Sequence, residues 1–273
     1  MSYKTVLVHL DDGARRAERL QVGFDIAASF DAHLVALFAL DAAYVPSHAL
    51  AEGGATMQEI ERRRRREAAA QAESEFRQVE RRAGDKAEWR LSMDGALAAV
   101  SLSARYADLV VAAQPEPGDG RARALAGELV LSVGRPVLFV PYAGRFTTLG
   151  KRILVAWNAS REAARAVSDA LPLLARADSV QLVAFDPVSA DHGEVPAADV
   201  ALYLARHGVK ATAVRQSAPG LDIGAQILSR AADTGADLIV MGGYGHSRLR
   251  ELVLGGATRS MLEAMTVPVL MSH

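Results

Sequence analysis

The stretch MGGYGHSRLRELVLGGATRS, Met241–Ser260, follows the apolar run DLIVM, Asp237–Met241, without a break. Gly242, Gly245, Gly255 and Gly256 punctuate it. A short aliphatic run closed by glycines reads as a buried strand, and Ala257 to Ala264 beyond the loop carries helical spacing. Strand, loop and helix in that order are the building unit of a parallel α/β sheet. In such sheets the loops at the carboxyl ends of the strands line the ligand crevice.

Working backwards, the second half alternates in the same way. Strands are expected at Arg152–Trp157, Ser179–Asp186, Val209–Gln216 and Val267–Ser272, and helices at Arg161–Ala175, Pro196–Arg206 and Ile223–Thr234. The strands are almost continuously apolar, as expected where helices cover both faces. The first half repeats the order. TVLVHLDD from Thr5 resembles RILVAWNA from Arg152 at an offset of 147, and ADLVVAA from Ala107 resembles ADLIVMG from Ala236 at 129. RPVLFV from Arg135 likewise resembles VPVLMS from Val267 at 132. The differing offsets place the length changes between the blocks, so the chain reads as a duplicated unit. The join falls in YAGRFTTLG, giving domains at 1–143 and 151–273 with a linker at 144–150. The first half is distinguished by a longer second helix, with Thr56 and Glu59 spaced as a capping box and helical character to about Ala83. Its five successive arginines, Arg62–Arg66, cannot share one face. Glu59 to Arg63, Glu61 to Arg65 and Glu73 to Arg77 are spaced for pairing one turn apart, which reads as a solvated, ion-paired helix; a basic docking patch for a partner or a membrane surface is the alternative.

Composition narrows the function. The 273 residues are 50% hydrophobic and 23% charged, with 31 Lys+Arg against 32 Asp+Glu and a net charge of -1. A protein that neutralises phosphates along a nucleic acid carries a large basic excess, so no nucleic-acid partner is expected. There is no Cys, which removes thiolate metal sites, disulfides and cysteine nucleophiles. No apolar stretch approaches the roughly 18 residues of a membrane span, and the protein is expected to be cytoplasmic with no membrane partner. His9, His33, His48, His192, His207, His246 and His273 show no helical metal-ligand spacing, and neither a Gly-x-Ser-x-Gly elbow nor a carboxylate pair accompanies the loop. No catalytic residue is assigned.

Glycine lets a phosphate approach the backbone, and free N–H groups at a helix start attract an anion. The same glycines also serve tight turns and close helix packing. The loop is neither a Walker A sequence nor a GxGxxG fingerprint. The pattern of strand, Gly-x2-Gly-x9-Gly, helix and terminal Pro-Val-aliphatic strand, met by Gly242, Gly245 and Gly255, resembles that of the universal stress protein family. The whole chain resembles a tandem pair of such domains.

The resemblance implies an α/β fold of two tandem adenine-nucleotide-alpha-hydrolase-like (Rossmann-like) domains, each a five-stranded mostly parallel sheet with helices on both faces. It further implies a regulatory protein of the stress response that holds ATP or another adenine nucleotide, with or without Mg2+. Gly242, Gly245, Gly255 and Gly256 would wrap the phosphates, with Ala257, Thr258 and His246 beside them. The family commonly has Ser or Thr where Gly256 stands, so a hydroxyl donor is lost, and Thr258 would replace it in part. Asn158 takes the place of an acidic residue at the end of the first strand, Ala156 and Trp157 would border the base, and Phe185 would meet its face. Asn158 or Ser160 is equally an N-cap of the following helix. In the first half Asp11 matches Asn158, but QPEPGDGRARALAGEL after Ala113 lacks the glycine spacing. There Pro115 and Pro117 remove N–H donors, and Glu116 and Asp119 would repel phosphate. Nucleotide is therefore expected in the second half only. An interaction scaffold with an empty cleft, or a slow ATPase, are the alternatives. The terminal strands, Val137–Val140 and Val267–Met271, are expected at sheet edges, pairing the halves intramolecularly, with a homodimer as a further step.

Overall fold

The computed structural model describes residues 2–41, 47–185, 197–217, 220–244 and 256–273, with no side-chain description at 47–58. Two compact units divide it: one of Lys4–Val111, the other of Ala112–His273 with Met1–Tyr3.

The first unit holds β1 (Thr5–Leu10), α1 (Arg16–Phe30), β2 (His33–Phe38), α2 (Ser47–Ala83), β3 (Ala87–Leu91) and α3 (Ala96–Ala104), and the start of β4 (Leu109–Ala113). Its strands run β3-β2-β1-β4, all parallel, with Thr5 opposite His33, Val6 opposite Leu109 and Leu34 opposite Ala87. Asp108 fixes the start of β1, its carboxylate accepting from the N–H groups of Lys4 and Thr5 at 2.6 and 2.9 Å. Phe76 of α2 is fully buried and packs against Trp89 of β3, ring centroids 5.6 Å apart.

α2 begins at Ser47, so Thr56 lies inside the helix and does not start it. The helix also contains Gly53 and Gly54, each costing about 1 kcal/mol relative to Ala, a penalty that a 37-residue helix absorbs. The arginine run is paired as a solvated helix should be, with changes of partner. Arg65–Glu61 (3.8 Å) and Arg77–Glu73 (2.7 Å) match the expected spacing, but Glu59 meets Arg62 at 4.0 Å and Arg63 meets Glu67 at 3.8 Å. Arg64 reaches off the helix to Asp12.

The second unit continues with α4 (Gly120–Ser132) and β5 (Val137–Val140). β6 (Arg152–Trp157), α5 (Arg161–Leu174), β7 (Ser179–Phe185), α6 (Ala198–Arg206) and β8 (Ala211–Gln216) follow. The unit closes with α7 (Ile223–Thr234), β9 (Leu238–Gly242), α8 (Ala257–Ala264) and β10 (Val269–Ser272). Its strand order is β5-β10-β9-β6-β7-β8. All neighbours are parallel except β5 and β10, which run antiparallel with Leu138 opposite Leu270. The fold is thus a mostly parallel α/β architecture with helical crossovers. Leu154, Leu182, Ile239 and Leu270 form its fully buried centre. The chain leaves β6 first toward β7 and β8 and then returns to β9 and β10 on the other side. The direction of travel therefore reverses between β6 and β9, and in parallel α/β sheets ligands bind at the carboxyl ends beside such a reversal.

Gln114, just beyond β4, is 2% exposed and completely engaged across this unit. Its Nε2 donates to the Leu262 carbonyl of α8 (3.0 Å) and its Oε1 accepts from Tyr142 N (3.1 Å). Replacing Gln114 with Leu keeps the volume but strands the buried Leu262 carbonyl and removes the acceptor of the part-buried Tyr142 N–H, so a loss of about 2 kcal/mol is expected. Thermal melting checks this; an unchanged midpoint would mean that water or rearrangement satisfies both groups.

Candidate functional site

The candidate site lies at the carboxyl ends of β6 and β9. Ala156 pairs with Met241, which places Trp157, Asn158 and Gly242 side by side where the two strands end. Ala156 and Trp157 are half-buried and Asn158 is exposed. Ser160 is the N-cap of α5, its hydroxyl accepting from Ala163 N at 3.1 Å. Asn158 supports it: its Oδ1 accepts from Ser160 Oγ (2.7 Å) and Ser160 N (3.2 Å). Ala159 between them takes a left-handed backbone, φ 58°. The amide oxygen of Asn158 is thus engaged in the turn. Phe185 ends β7 beside β6 but is 8% exposed, so its ring belongs chiefly to the core.

Gly242 has a packing reason that does not involve a ligand. A Cβ there would stand 2.6 Å from Ala163 N and 2.7 Å from Glu162 C, both backbone atoms of α5. The missing side chain lets the first turn of α5 press on the end of β9. Glu162 in that turn is buried. Burial alone would raise its carboxyl, but the Arg161 hydrogen bond, its own backbone N–H and nearby His273 hold it below the usual range. The charge it keeps faces the positive end of the α5 dipole.

On the far side of the loop, Gly256 is the N-cap of α8 with φ −58° and ψ 163° and no side-chain cap. Thr258 is buried, and its hydroxyl accepts from Tyr244 N at 3.0 Å, tying the first turn of α8 to the root of the glycine loop. That bond uses a lone pair and leaves the hydroxyl hydrogen to donate. Tyr244 itself has φ 56°, and its hydroxyl sits where a Cβ on Gly127 of α4 would come within 2.6 Å. Neither the left-handed tyrosine nor its notch on α4 leaves a trace in the residue pattern. Gly245, His246 and Gly255 lie outside the described residues. Ala156, Trp157, Asn158 and Gly242 lie at the carboxyl ends of β6 and β9, and Gly256, Ala257 and Thr258 at the start of α8.

The corresponding helix of the first half is treated differently. α4 is capped by Asp119, whose Oδ1 accepts from Arg121 N (3.0 Å) and Ala122 N (2.9 Å). A carboxylate of the chain itself occupies the donors that an anion would use. At the end of β1 a second substitution appears, which the sequence reading passed over. Buried Arg19 of α1 donates from Nη2 to Asp11 Oδ1 at 2.6 Å, and buried His9 donates from Nε2 to the Ala39 carbonyl at 3.0 Å. The available signal was Arg19 on an otherwise apolar helix face. Burial would raise the Asp11 carboxyl, but the Arg19 guanidinium and then His9 overcome it and hold it at about 2. Burial, aided by Arg19, pushes the His9 imidazole below its ordinary value against the pull of Asp11 and Asp41.

Residues 150–273 match the Universal stress protein family. The second half is a universal stress protein domain. A universal stress protein of Synechocystis sp. is 47% identical over 38 residues, which is 14% of this chain and 13% of that protein. Along the whole chain the fold resembles a universal stress protein from Archaeoglobus fulgidus, 17% identical with a TM-score of 0.72, covering 98% of this chain and 95% of that one. It also resembles a protein of unknown function from Pseudomonas aeruginosa, 16% identical with a TM-score of 0.60, covering 99% and 92%. A universal stress protein solved in complex with cAMP matches 52% of this chain and all of its own, at 19% identity and a TM-score of 0.36. No helix among the described residues is long and apolar enough to cross a membrane.

Two outcomes follow from these packing and charge relations. Gly242→Ala should cost about 1–3 kcal/mol in the ligand-free protein, because backbone must move to admit the methyl; a midpoint equal to wild type would return Gly242 to a purely ligand-facing role. His9 has its folded pKa below its unfolded value. Its contribution is therefore complete above about pH 6.5 and is lost as pH falls. Asp11 adds a second loss between 3.8 and about 2. Melting midpoints should fall from pH 7 to 5, and His9→Gln, which retains a donor for Ala39, should flatten that slope; an identical slope in the variant would remove His9 as its source.

Proposed function

We propose that this is a universal stress protein that binds an adenine nucleotide, ATP or a relative with or without Mg2+, in its second half only, and acts as a regulatory protein of the stress response in the cytoplasm. The observation that carries the reading is the contrast between two equivalent helices. α4 has its first N–H groups filled by Asp119, while α8 starts at Gly256 with no side-chain cap. Uncapped donors at a helix start, at the reversal point of a parallel sheet, fit a phosphate. The backbone of Gly242, Gly245, Gly255, Gly256 and Ala257 would carry it, with Thr258 Oγ1 and His246 beside. Ala156, Trp157 and the Asn158 amide would meet the ribose and base, with Phe185 behind them. The domains of this reading are 1–143 and 151–273 joined by 144–150. The halves associate through β5 and β10, and a homodimer forms from the tandem chain.

The empty-cleft scaffold is favoured by one observation. Asn158 Oδ1, the acceptor that a ribose hydroxyl would use, already accepts twice from Ser160.

Calorimetry with ATP, ADP and AMP on protein freed of small molecules, together with mass spectrometry of what denaturation releases, tests the reading. About one adenine nucleotide per chain is expected. Gly256→Asp transplants the α4 cap onto α8, whose N-cap dihedrals accept it. It should leave the free protein as stable or slightly more so, and weaken nucleotide by about ten-fold or more through like charge. No binding by wild type favours the scaffold, and binding unaffected by Gly256→Asp would place the phosphates away from α8.

A further inference from the structure

Three positions at the end of β1 differ in kind from their counterparts in the second repeat. The offset that sets Thr5 against Arg152 sets His9 against Ala156, Asp11 against Asn158 and Arg19 against Ala166. It persists into the helices: Arg19, Leu20, Gly23, Ile26 and Ala27 are buried on α1, and Ala166, Val167, Ala170, Leu173 and Leu174 are buried on α5 at the same spacing. Two small neutral residues and an amide in one repeat are thus an imidazole, a guanidinium and a carboxylate in the other.

The exposure of the strand ends follows this exchange. His9 is 2% exposed and Leu10 1%, whereas Ala156 and Trp157 are half-buried and Asn158 is exposed. Arg19, 2% exposed, projects from the buried face of α1 to Asp11. The rim is held from outside by arginines of α2, Arg64 on Asp12 and Arg65 on the Leu40 carbonyl, and by Arg16 of α1 on Glu75 at 2.9 Å.

Stability alone does not account for such a group. A buried ion pair is commonly matched or bettered by apolar residues of the same volume, because desolvating both charges offsets their attraction. Here the compensation is incomplete as well, for Arg19 Nε is buried without a hydrogen-bond partner among the described residues. An alanine at this position would leave a recess with the Asp11 carboxylate at its mouth.

We propose that Arg19 is a built-in cationic occupant of the first repeat. Its guanidinium fills the space at the end of β1 beside Asp11, so that Asp11 is permanently engaged and this repeat accepts no diffusible ligand. The assignment is independent of whether the second repeat takes nucleotide. It identifies the recess, once emptied, as a site for a small planar cation bearing N–H donors.

Chemical rescue tests this on the full chain. Arg19→Ala should melt below wild type. Millimolar ethylguanidinium should raise its midpoint saturably by about 2–4 °C, while leaving wild type unmoved. The double variant Asp11→Asn with Arg19→Ala should melt above the single variant and show no rise. Should Arg19→Ala fail to fold, its refolding yield with and without ethylguanidinium gives the same readout, again with the double variant as control. No saturable gain in either measurement, or the same gain in the double variant, overturns the proposal. A midpoint for Arg19→Ala equal to wild type does so too.

Discussion

β6 is hydrogen-bonded to β7 on one side and to β9 on the other, and all three strands run the same way. Everything around the site depends on that arrangement. Parallel neighbours cannot be joined by a hairpin, so each connection must recross the sheet as a helix, and each helix then starts at the carboxyl edge of the strands. A helix start brings unpaired N–H groups with it. The edge where the chain reverses direction is therefore a place where backbone donors collect without any side chain having been selected for it. What remains for the residues to decide is whether the chain itself or something else satisfies those donors.

The two repeats answer differently, and the answers are local. On α5 the start is closed by Ser160 with Asn158 behind it, on α7 by Asp222 accepting from Ala225 N at 3.1 Å, and on α4 by Asp119. α8 stands apart from these because its N-cap is glycine. The groups around it are positioned by bonds with other duties. Thr258 holds Tyr244, Gly243 N donates to the Ser272 carbonyl at 2.9 Å, and His273 Nδ1 donates to the Gly243 carbonyl at 3.0 Å. The uncapped helix start is thus set on a rigid base, as a binding group needs to be if ordering it is not to consume the binding energy.

Most of the fold was legible because the strands announce themselves. Runs such as LIVM in Leu238–Met241 and ILVAW in Ile153–Trp157 are apolar at every position, as a strand covered on both faces requires, and the recurrence of matching blocks in the same order gives the duplication. Strand ends moved by a residue or two, because the last ladder bonds depend on what neighbours supply. The start of α2 was missed because Thr56 and Glu59 have capping-box spacing, which inside a longer helix is only a pair of side chains one turn apart. At the site, Gly242 was legible as important and ambiguous in purpose. A glycine demanded by a phosphate and a glycine demanded by the approach of α5 look identical in one dimension. The Asp119 cap was half legible: its charge near the loop was visible, but not its bonds to Arg121 N and Ala122 N. The ion pair of Asp11 with Arg19 was hidden because its members are eight residues apart across a strand-to-helix turn, a spacing with no helical or strand periodicity.

The duplicated chain therefore shows one scaffold with two ways of treating the same edge. A strand end left open must tolerate water, which is cheap only if its lining is neutral and small, as half-buried Ala156 is. A strand end closed with charged groups must keep each charge paired, which explains why the first repeat carries its substitutions as a linked set: Arg19 without Asp11 would leave an uncompensated charge out of reach of solvent. Intermediate states between the two treatments are disfavoured for the same reason. Asymmetry between the repeats is then an expected outcome of duplication, since a side chain that reaches the crevice from its own helix competes with any ligand at an effective concentration that no free molecule matches.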